Sequence, residues 1–292
     1  MKNKTCIVTG ASSGLGKAVA RLLAREGSQI IMISRDNERG RHSFDETSGM
    51  NPGRVEWIPT DLSSLDAVRK TAQIINKRYD RINILFNCAG VILMKRMETV
   101  DGLETMFATN YLGHFLLTNL LYPGLLAGAP SKVITVSGRG HKSRLTEGLQ
   151  PGTIDFDDLQ GREKFSFARA AKQAVLAKII FTYELARRWQ DKGIEVSTVC
   201  PGLTKTNLTG HLPWFARAYM ALRFRLQATQ TPEEGAGHLI RIARMHNTGG
   251  KYYEGGKGYL REARSSGASY DLNNTKKLWA ISEQMVGQAF NP

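Results

Sequence analysis

The chain is poor in cysteine, in proline and in acid. Its three cysteines, Cys6, Cys88 and Cys200, are odd in number and unpaired in spacing, which excludes a disulfide scaffold and fits a reducing compartment. Each falls near the end of an apolar run, where a free thiol packs as a small apolar residue. With nine prolines in 292 residues there is no Pro-rich linker. No internal repeat or low-complexity tract appears either, so one domain over 1–292 is expected. No stretch approaches the roughly 18 apolar residues of a membrane span. No long apolar run follows Met1-Lys-Asn-Lys-Thr5, so a signal peptide is not expected, and the expected location is cytoplasmic. Helix-turn-helix, zinc and RNA-binding signatures are missing, so nucleic acid is not an expected partner. The shortage of acid is the most informative: 26 Asp+Glu against 40 Lys+Arg leaves +14. Such a balance favours an anionic partner, whether a phosphate-bearing cofactor or an acidic membrane surface.

What is present is ordinary for a globular chain, with 41% hydrophobic and 23% charged residues. That rules out disorder and collagen. Strand-like and helix-like patterns alternate. Thr5 to Val8, Gln29 to Ile33, Val55 to Pro59, Ile82 to Phe86, Lys132 to Val136 and Ile194 to Val199 read as short buried strands. Lys17 to Arg25, Ser64 to Lys77, Leu103 to Leu126 and Ala168 to Gln190 carry helical spacing. Alternation of this kind predicts an α/β fold: a doubly wound parallel sheet of about seven strands with helices on both faces. Strands that are apolar throughout fit a sheet covered on both sides.

The first turn carries phosphate chemistry. Thr9-Gly-Ala-Ser-Ser-Gly-Leu-Gly16 follows the first strand and opens the first helix. Gly10, Gly14 and Gly16 allow a tight turn and a close approach of backbone to pyrophosphate. Ser12, Ser13 and Leu15 stand where free N–H groups of a helix N-terminus meet an anion. The second strand ends Ile33-Ser34-Arg35-Asp36. An acid at that strand end reads a free ribose 2′-hydroxyl, whereas Arg35 suits a 2′-phosphate through its planar fork. Ser34 and Arg35 therefore favour NADP(H) over NAD(H).

Further motifs stand in a fixed order: Asp61-Leu62, Asn87-Cys-Ala-Gly90, Asn110 within Thr109-Asn-Tyr-Leu-Gly-His-Phe115, and Pro201-Gly202. With the glycine-rich turn they resemble the short-chain dehydrogenase/reductase family over nearly the whole chain. Asn110-Tyr-Leu-Gly-His-Phe-Leu-Leu-Thr118, Leu159-Gln-Gly161, Phe181-Thr-Tyr-Glu-Leu-Ala-Arg-Arg188 and Lys277-Leu-Trp-Ala-Ile-Ser282 look most like its retinol-dehydrogenase branch. The resemblance implies a Rossmann-type sheet and a cofactor role for each matching position. Asp61 and Leu62 would flank the adenine, and Asn87, Ala89 and Gly90 would line the ribose. Pro201, Gly202, Thr204 and Thr206 would approach the carboxamide.

The family's chemistry needs a Ser after the fifth strand and a Tyr-x3-Lys on the next helix, a spacing that puts both side chains on one helix face. Here the fifth strand runs into Ser137-Gly138-Arg139, and Gly138 takes the position of the Ser. Counting forward from Leu159-Gln-Gly161 or backward from Pro201-Gly202, the Tyr position falls on Ala171 and the Lys position on Val175. Tyr183, with Arg187 four residues on, lies too near Pro201 to be the family's Tyr. The resemblance thus implies cofactor binding but not the usual proton relay, and fold alone does not give chemistry.

Candidates for a replacement are Asn110, which anchors a water in the family, and the basic run Arg139-Gly-His-Lys-Ser-Arg144. Arg139 offers a fixed positive charge beside the lost hydroxyl, and His141 an acid–base group near neutral pH. Arg169 and Lys172 flank the empty Tyr position. The segment 203–228 reads as a lid, with Trp214, Phe215, Tyr219 and Phe224 among Arg217, Arg223 and Arg225. Its apolar residues suggest a lipophilic small-molecule substrate, and its basic side a peripheral membrane contact; a homo-oligomer is also open.

Three functions compete. One is an atypical NADP(H) oxidoreductase passing hydride to an activated C=N, C=C or C=O. An iminium substrate would need no proton donor. The second is a non-redox cyclase, isomerase or dehydratase on the same scaffold, and the third a catalytically inactive NADP(H)-binding protein.

Overall fold

The computed structural model describes residues 1–142, 153–204 and 229–290. Its strands are β1 (Thr5–Thr9), β2 (Gln29–Ser34), β3 (Val55–Pro59), β4 (Ile84–Asn87), β5 (Ser131–Val136), β6 (Ile194–Cys200), β7 (Lys251–Gly256) and β8 (Tyr259–Ala263). They form one sheet in the order β3-β2-β1-β4-β5-β6-β7-β8. All neighbours pair in parallel except β7 and β8. The order reverses between β1 and β4, and at such a switch point the strand ends diverge into a crevice. The sheet carries two strands, β7 and β8, beyond the six read individually in the sequence, and one beyond the expected total of about seven. β8 returns from β7 through the two-residue turn Lys257-Gly258, where Gly258 takes φ +81°, a conformation that favours glycine.

Helices cover both faces. On one lie α1 (Gly14–Arg25) and α8 (Pro232–Arg244), packed on Val8, Ile30, Met32, Phe86 and Ile134. α1 buries Leu15, Ala18, Val19 and Leu23, an apolar stripe at helical spacing. α8 starts at a reciprocal cap: the Thr231 hydroxyl accepts from Glu234 N and the Glu234 carboxylate from Thr231 N. On the other face lie α3 (Leu65–Arg78), α5 (Gly113–Leu120), α7 (Phe167–Arg188) and α9 (Leu272–Val286), around a core of Tyr111, Phe115, Phe181 and Trp279.

Two helical expectations differ from what forms. α2 (Glu38–Met50) has no apolar signature, because only Gly40, Ser43 and Thr47 are buried and none gives an apolar stripe. The predicted helix over Leu103 to Leu126 is broken into α4 (Thr105–Phe107), a wide π-turn over Ala108–Leu112, α5 and α6 (Tyr122–Ala127). Apolar spacing does not register the extra residue of a π-turn, and such turns gather at functional sites.

Candidate functional site

The carboxyl ends of β1, β2 and β4 meet around the glycine-rich turn. Gly10 has φ +66°, and a Cβ on it would lie 2.7 Å from Ala89 Cα; a Cβ on Gly16 would lie 2.5 Å from the Gly10 carbonyl. Side chains are thus excluded where β1 turns into α1 against the end of β4. Ser13 stands at the N-cap of α1 in extended conformation, and its side chain caps none of the first-turn N–H groups. Those donors with the positive end of the helix form an anion seat. Leu15 is buried under the turn, while Ser12 is half-buried on its rim.

One hydroxyl ties these strand ends together. Thr9 Oγ1 accepts from Cys88 N at 2.9 Å and Ala89 N at 3.1 Å, and it lies 2.9 Å from His114 Nε2 on α5. Burial, with the charge of Lys178 nearby, lowers His114 to about 3, so its ring is neutral at pH 7. Asn87 is fully buried and donates to Thr118 Oγ1 at 3.0 Å and Thr135 Oγ1 at 3.4 Å. Nothing in the sequence singled out Thr9, His114 or Thr118, although a Thr directly before Gly10 was a visible cue.

At the end of β2 the two expected residues part. Ser34 is buried and its Oγ accepts from Trp57 Nε1 at 2.9 Å. Arg35 is exposed and, among the described residues, makes no ion pair. Arg39 and Arg41 on α2 are exposed beside it. Asp61 folds into a local turn, its Oδ1 accepting from Ser63 N at 2.9 Å and Ser63 Oγ at 2.8 Å. Leu62 is buried against α5, where a Cβ on Gly113 would lie 2.3 Å from its carbonyl.

At the end of β6, Gly202 has φ +91°, and a Cβ there would lie 2.6 Å from the Gly255 carbonyl. Gln230 is buried and donates to the Pro201 carbonyl and, at 3.1 Å, to Thr204 Oγ1. Thr206 and all but the first two residues of the expected lid lie outside the described residues.

The arrangement fits a dinucleotide: a backbone cradle that admits no Cβ, an open helix N-terminus for the pyrophosphate and an unpaired Arg35 for further phosphate charge.

The carboxyl end of β5 is different. A Cβ on Gly138 would lie 3.8 Å from Val175 Cγ2, so these positions face each other across the gap between β5 and α7. Ala171 and Val175 are half-buried on the wall of the cleft. Asn110 sits in the π-turn with both side-chain atoms engaged on one residue: Oδ1 accepts from Val91 N at 2.7 Å, and Nδ2 donates to Val91 O at 2.9 Å.

Among the basic candidates, His141 is not placed to exchange protons near neutral pH. It is fully buried, its Nδ1 accepts from Ser266 N at 3.2 Å, and its Nε2 lies 3.3 Å from Tyr252 Oη. Burial and the adjacent Lys142 charge lower it to about 4. Arg139 is half-exposed and donates to Tyr259 Oη at 2.6 Å. Its guanidinium lies 3.9 Å from Glu254, which Lys142 meets at 2.7 Å and Arg261 at 3.3 Å. Burial alone would raise Glu254, but these partners hold it below its ordinary value. Three cations share one buried carboxylate, so the rim by β7 and β8 stays positive. Arg169 is paired with Asp155 at 3.1 Å. Tyr183 lies at the other end of the sheet, its hydroxyl 2.8 Å from Ser265 Oγ and its ring stacked on Tyr270. It lines a groove of about 1100 Å³ with Ser131 and Ile194, at the start of β5 and β6.

Comparison with known proteins agrees with this geometry. Residues 4–147 match the short chain dehydrogenase family model. Retinol dehydrogenase 13 of Mus musculus is 35% identical over 295 residues, covering 98% of this chain and 84% of the relative. Polyprenol dehydrogenase of Mus musculus is 35% identical over 295 residues, covering 97% and 84%. A solved structure of an uncharacterised protein from Mycobacterium paratuberculosis aligns with TM-score 0.78 at 32% identity over 99% of this chain and 95% of that one. A short chain dehydrogenase from Burkholderia cenocepacia, solved with NADP, aligns with TM-score 0.69 at 20% identity over 88% and 98%, a likeness of fold alone. With relatives this similar along nearly its full length, the chain belongs to the short-chain dehydrogenase/reductase family.

Proposed function

We propose that the protein is an NADP(H)-dependent oxidoreductase that acts on a lipophilic small molecule without a Ser-Tyr-Lys proton relay. The observation that carries this reading is the approach of Gly138 to Val175, where a Cβ on the glycine would lie 3.8 Å from Cγ2 of the valine, beside Ala171 on the same helix wall. None of these three side chains can hold or pass a proton. When bound, the cofactor supplies hydride. The chain's residues bind and orient: the turn over Gly10, Ser12, Ser13, Gly14, Leu15 and Gly16 seats the pyrophosphate, Arg35 beside Ser34 takes the 2′-phosphate, and Asp61 with Leu62 flanks the adenine. Asn87, Ala89 and Gly90 line the ribose, and Pro201, Gly202, Thr204 and Thr206 the carboxamide. Asn110 fixes the Val91 backbone at that wall, and Arg139 sets a positive charge at the mouth.

A site of this kind suits an electrophile that needs no enzymic acid: an iminium, which hydride alone neutralises, or an already polarised C=C or C=O, whose product takes its proton from water. The names of the retinol and polyprenol relatives support a lipophilic substrate, as does the apolar Ala171 and Val175 wall.

The test is label transfer. A set of iminium, enone and ketone substrates on terpenoid or retinoid skeletons is incubated with the protein and NADPH deuterated at the transferred position. Deuterium in product is expected. Product without label and without cofactor consumption would replace this reading with a non-redox isomerase or cyclase. A companion variant, Gly138→Ser with Ala171→Tyr and Val175→Lys, is expected to gain ordinary ketone reductase activity.

A further inference from the structure

Lys178 is a buried cation on α7 that the proposed function leaves without a role. It stands three residues beyond Val175, nearly one helical turn, and is 7% exposed. Helical side chains lean toward the amino end of their helix. Here Nζ reaches the carboxyl end of β5 and donates to the Val136 carbonyl at 3.1 Å. Val136 stands two residues before Gly138, so the amine meets the same strand end that leads to the glycine.

The surroundings are unlike an apolar core. Asn87 pairs in register with Thr135, and strand alternation puts Thr135 and Ser137 on the same face, toward α5 and α7. Among the described residues, Asn87 Oδ1 and Ser137 Oγ are buried without a hydrogen-bond partner. An ammonium has three donors, and Val136 takes one. Buried polar atoms are ordinarily satisfied, so these unmet groups at neighbouring strand ends mark a polar chamber under the cleft. The flanking strands β4 and β6 are those whose ends carry Asn87, Ala89, Pro201 and Gly202.

The chamber is also uncompensated in charge. The titratable groups that bear on Lys178 are Cys88 at the end of β4 and His114 on α5. Burial pushes the Cys88 thiol up to about 12, and His114 lies at about 3, so both are neutral near pH 7. The other elements packed on α7 bring no carboxylate to bear on the amine among the described residues. Desolvation lowers Lys178 to about 8, which leaves it mostly charged at pH 7.

We infer that Lys178 is the buried cation beneath the nicotinamide end of the cofactor site, and that it makes the protein hold the uncharged, reduced nicotinamide in preference to the positively charged, oxidised ring. The inference rests on the proposed NADP(H) site. NADPH and NADP+ share the same phosphates, so the ring charge is the difference that a buried ammonium senses. At an effective dielectric of about 20, one unit of charge within about 12 Å of a buried ammonium is worth about tenfold or more in affinity.

The test is equilibrium binding of NADPH and NADP+ to the purified full chain by calorimetry at pH 7 and pH 9.5, with no substrate. The wild type is expected to prefer NADPH by about tenfold or more at pH 7. That preference should fall toward parity at pH 9.5, because NADP+ affinity rises as the amine loses its proton. Lys178→Met should show parity at both pH values, and Lys178→Arg should keep the preference at both. A wild-type preference that is absent at pH 7, or unchanged at pH 9.5, overturns the inference. Should Lys178→Met not fold, the wild-type series and Lys178→Arg still decide. Failure of the wild type to bind either nucleotide would instead overturn the proposed NADP(H) site, a result distinct from binding without discrimination.

Discussion

The two ends of the cleft are built by opposite rules. Around β1, β2 and β4 the backbone itself forms the proposed binding surface. Gly10 and Gly16 bring chain segments so close that a Cβ on either would lie within 3 Å of backbone, and the Thr9 hydroxyl fixes three neighbours at once. Around β5 and α7 side chains line the site instead: Gly138 faces Val175, and the proposed function reads this pair in place of the family's proton carriers. Backbone geometry admits few substitutes, because its loss costs fold and cofactor together. Side-chain chemistry can be replaced without moving the chain. Under the proposed function, that contrast lets a cofactor end that keeps to its family stand beside a reaction end that departs from it.

The sharpest way to break this comparison is Gly16→Val. It is expected to abolish detectable NADPH binding and to cost about 3 kcal/mol of stability, read by calorimetry and denaturant unfolding, since the clash is with backbone that cannot yield. Full affinity in that variant would mean the turn is not the phosphate seat. Next comes Thr9→Val, which strands the Ala89 N–H and leaves the Cys88 N–H only its Phe86 carbonyl. A loss of about 2–4 kcal/mol is expected, again by denaturant unfolding.

Acid should weaken the fold through two buried imidazoles. His114 at about 3 and His141 at about 4 are both held below 6.5 by burial. The unfolded chain therefore binds more protons in this range, and stability falls as pH drops from about 6.5 toward 4. A melting temperature flat from pH 7 to 4.5 would contradict their buried, neutral state. Arg35→Ala is expected to weaken NADPH about tenfold or more while leaving NADH nearly unchanged, because an Arg–phosphate pair is strong and bidentate. Equal losses for both nucleotides would remove Arg35 from the 2′-phosphate. The smallest effect belongs to Arg139→Ala. Half-exposed and sharing Glu254 with Lys142 and Arg261, it should cost less than about 1 kcal/mol in stability.

The same contrast explains what could be read in advance. Gly10, Gly14 and Gly16 were legible because a backbone constraint writes itself into local sequence, and the central strands because burial on both faces leaves apolar runs. The π-turn around Asn110 was not legible, since apolar spacing does not mark it and Asn110 bonds to Val91, which is distant in sequence. β8 was missed although Lys257-Gly258 is a two-residue turn signal, because Tyr259-Leu-Arg-Glu-Ala263 lacks a clear alternation of apolar residues. His141 looked like a loop acid–base group. Only the packing of Tyr252 and the Ser266 amide shows it to be a buried support. Lys178 had no distinguishing mark among the cations of its helix.

The antiparallel strand β8 bears on how copies of the protein meet. It occupies the edge that β7 would otherwise offer, and its own outer rim carries Arg261 and Glu262, both exposed, with Lys251 paired to Glu262 at 3.0 Å. The opposite rim, β3, ends in Pro59 and holds Glu56 against Arg78 and Tyr79. Charged and proline-terminated margins resist strand addition from a second molecule. Among the described residues, both margins of the sheet are thus built against its extension by a further strand.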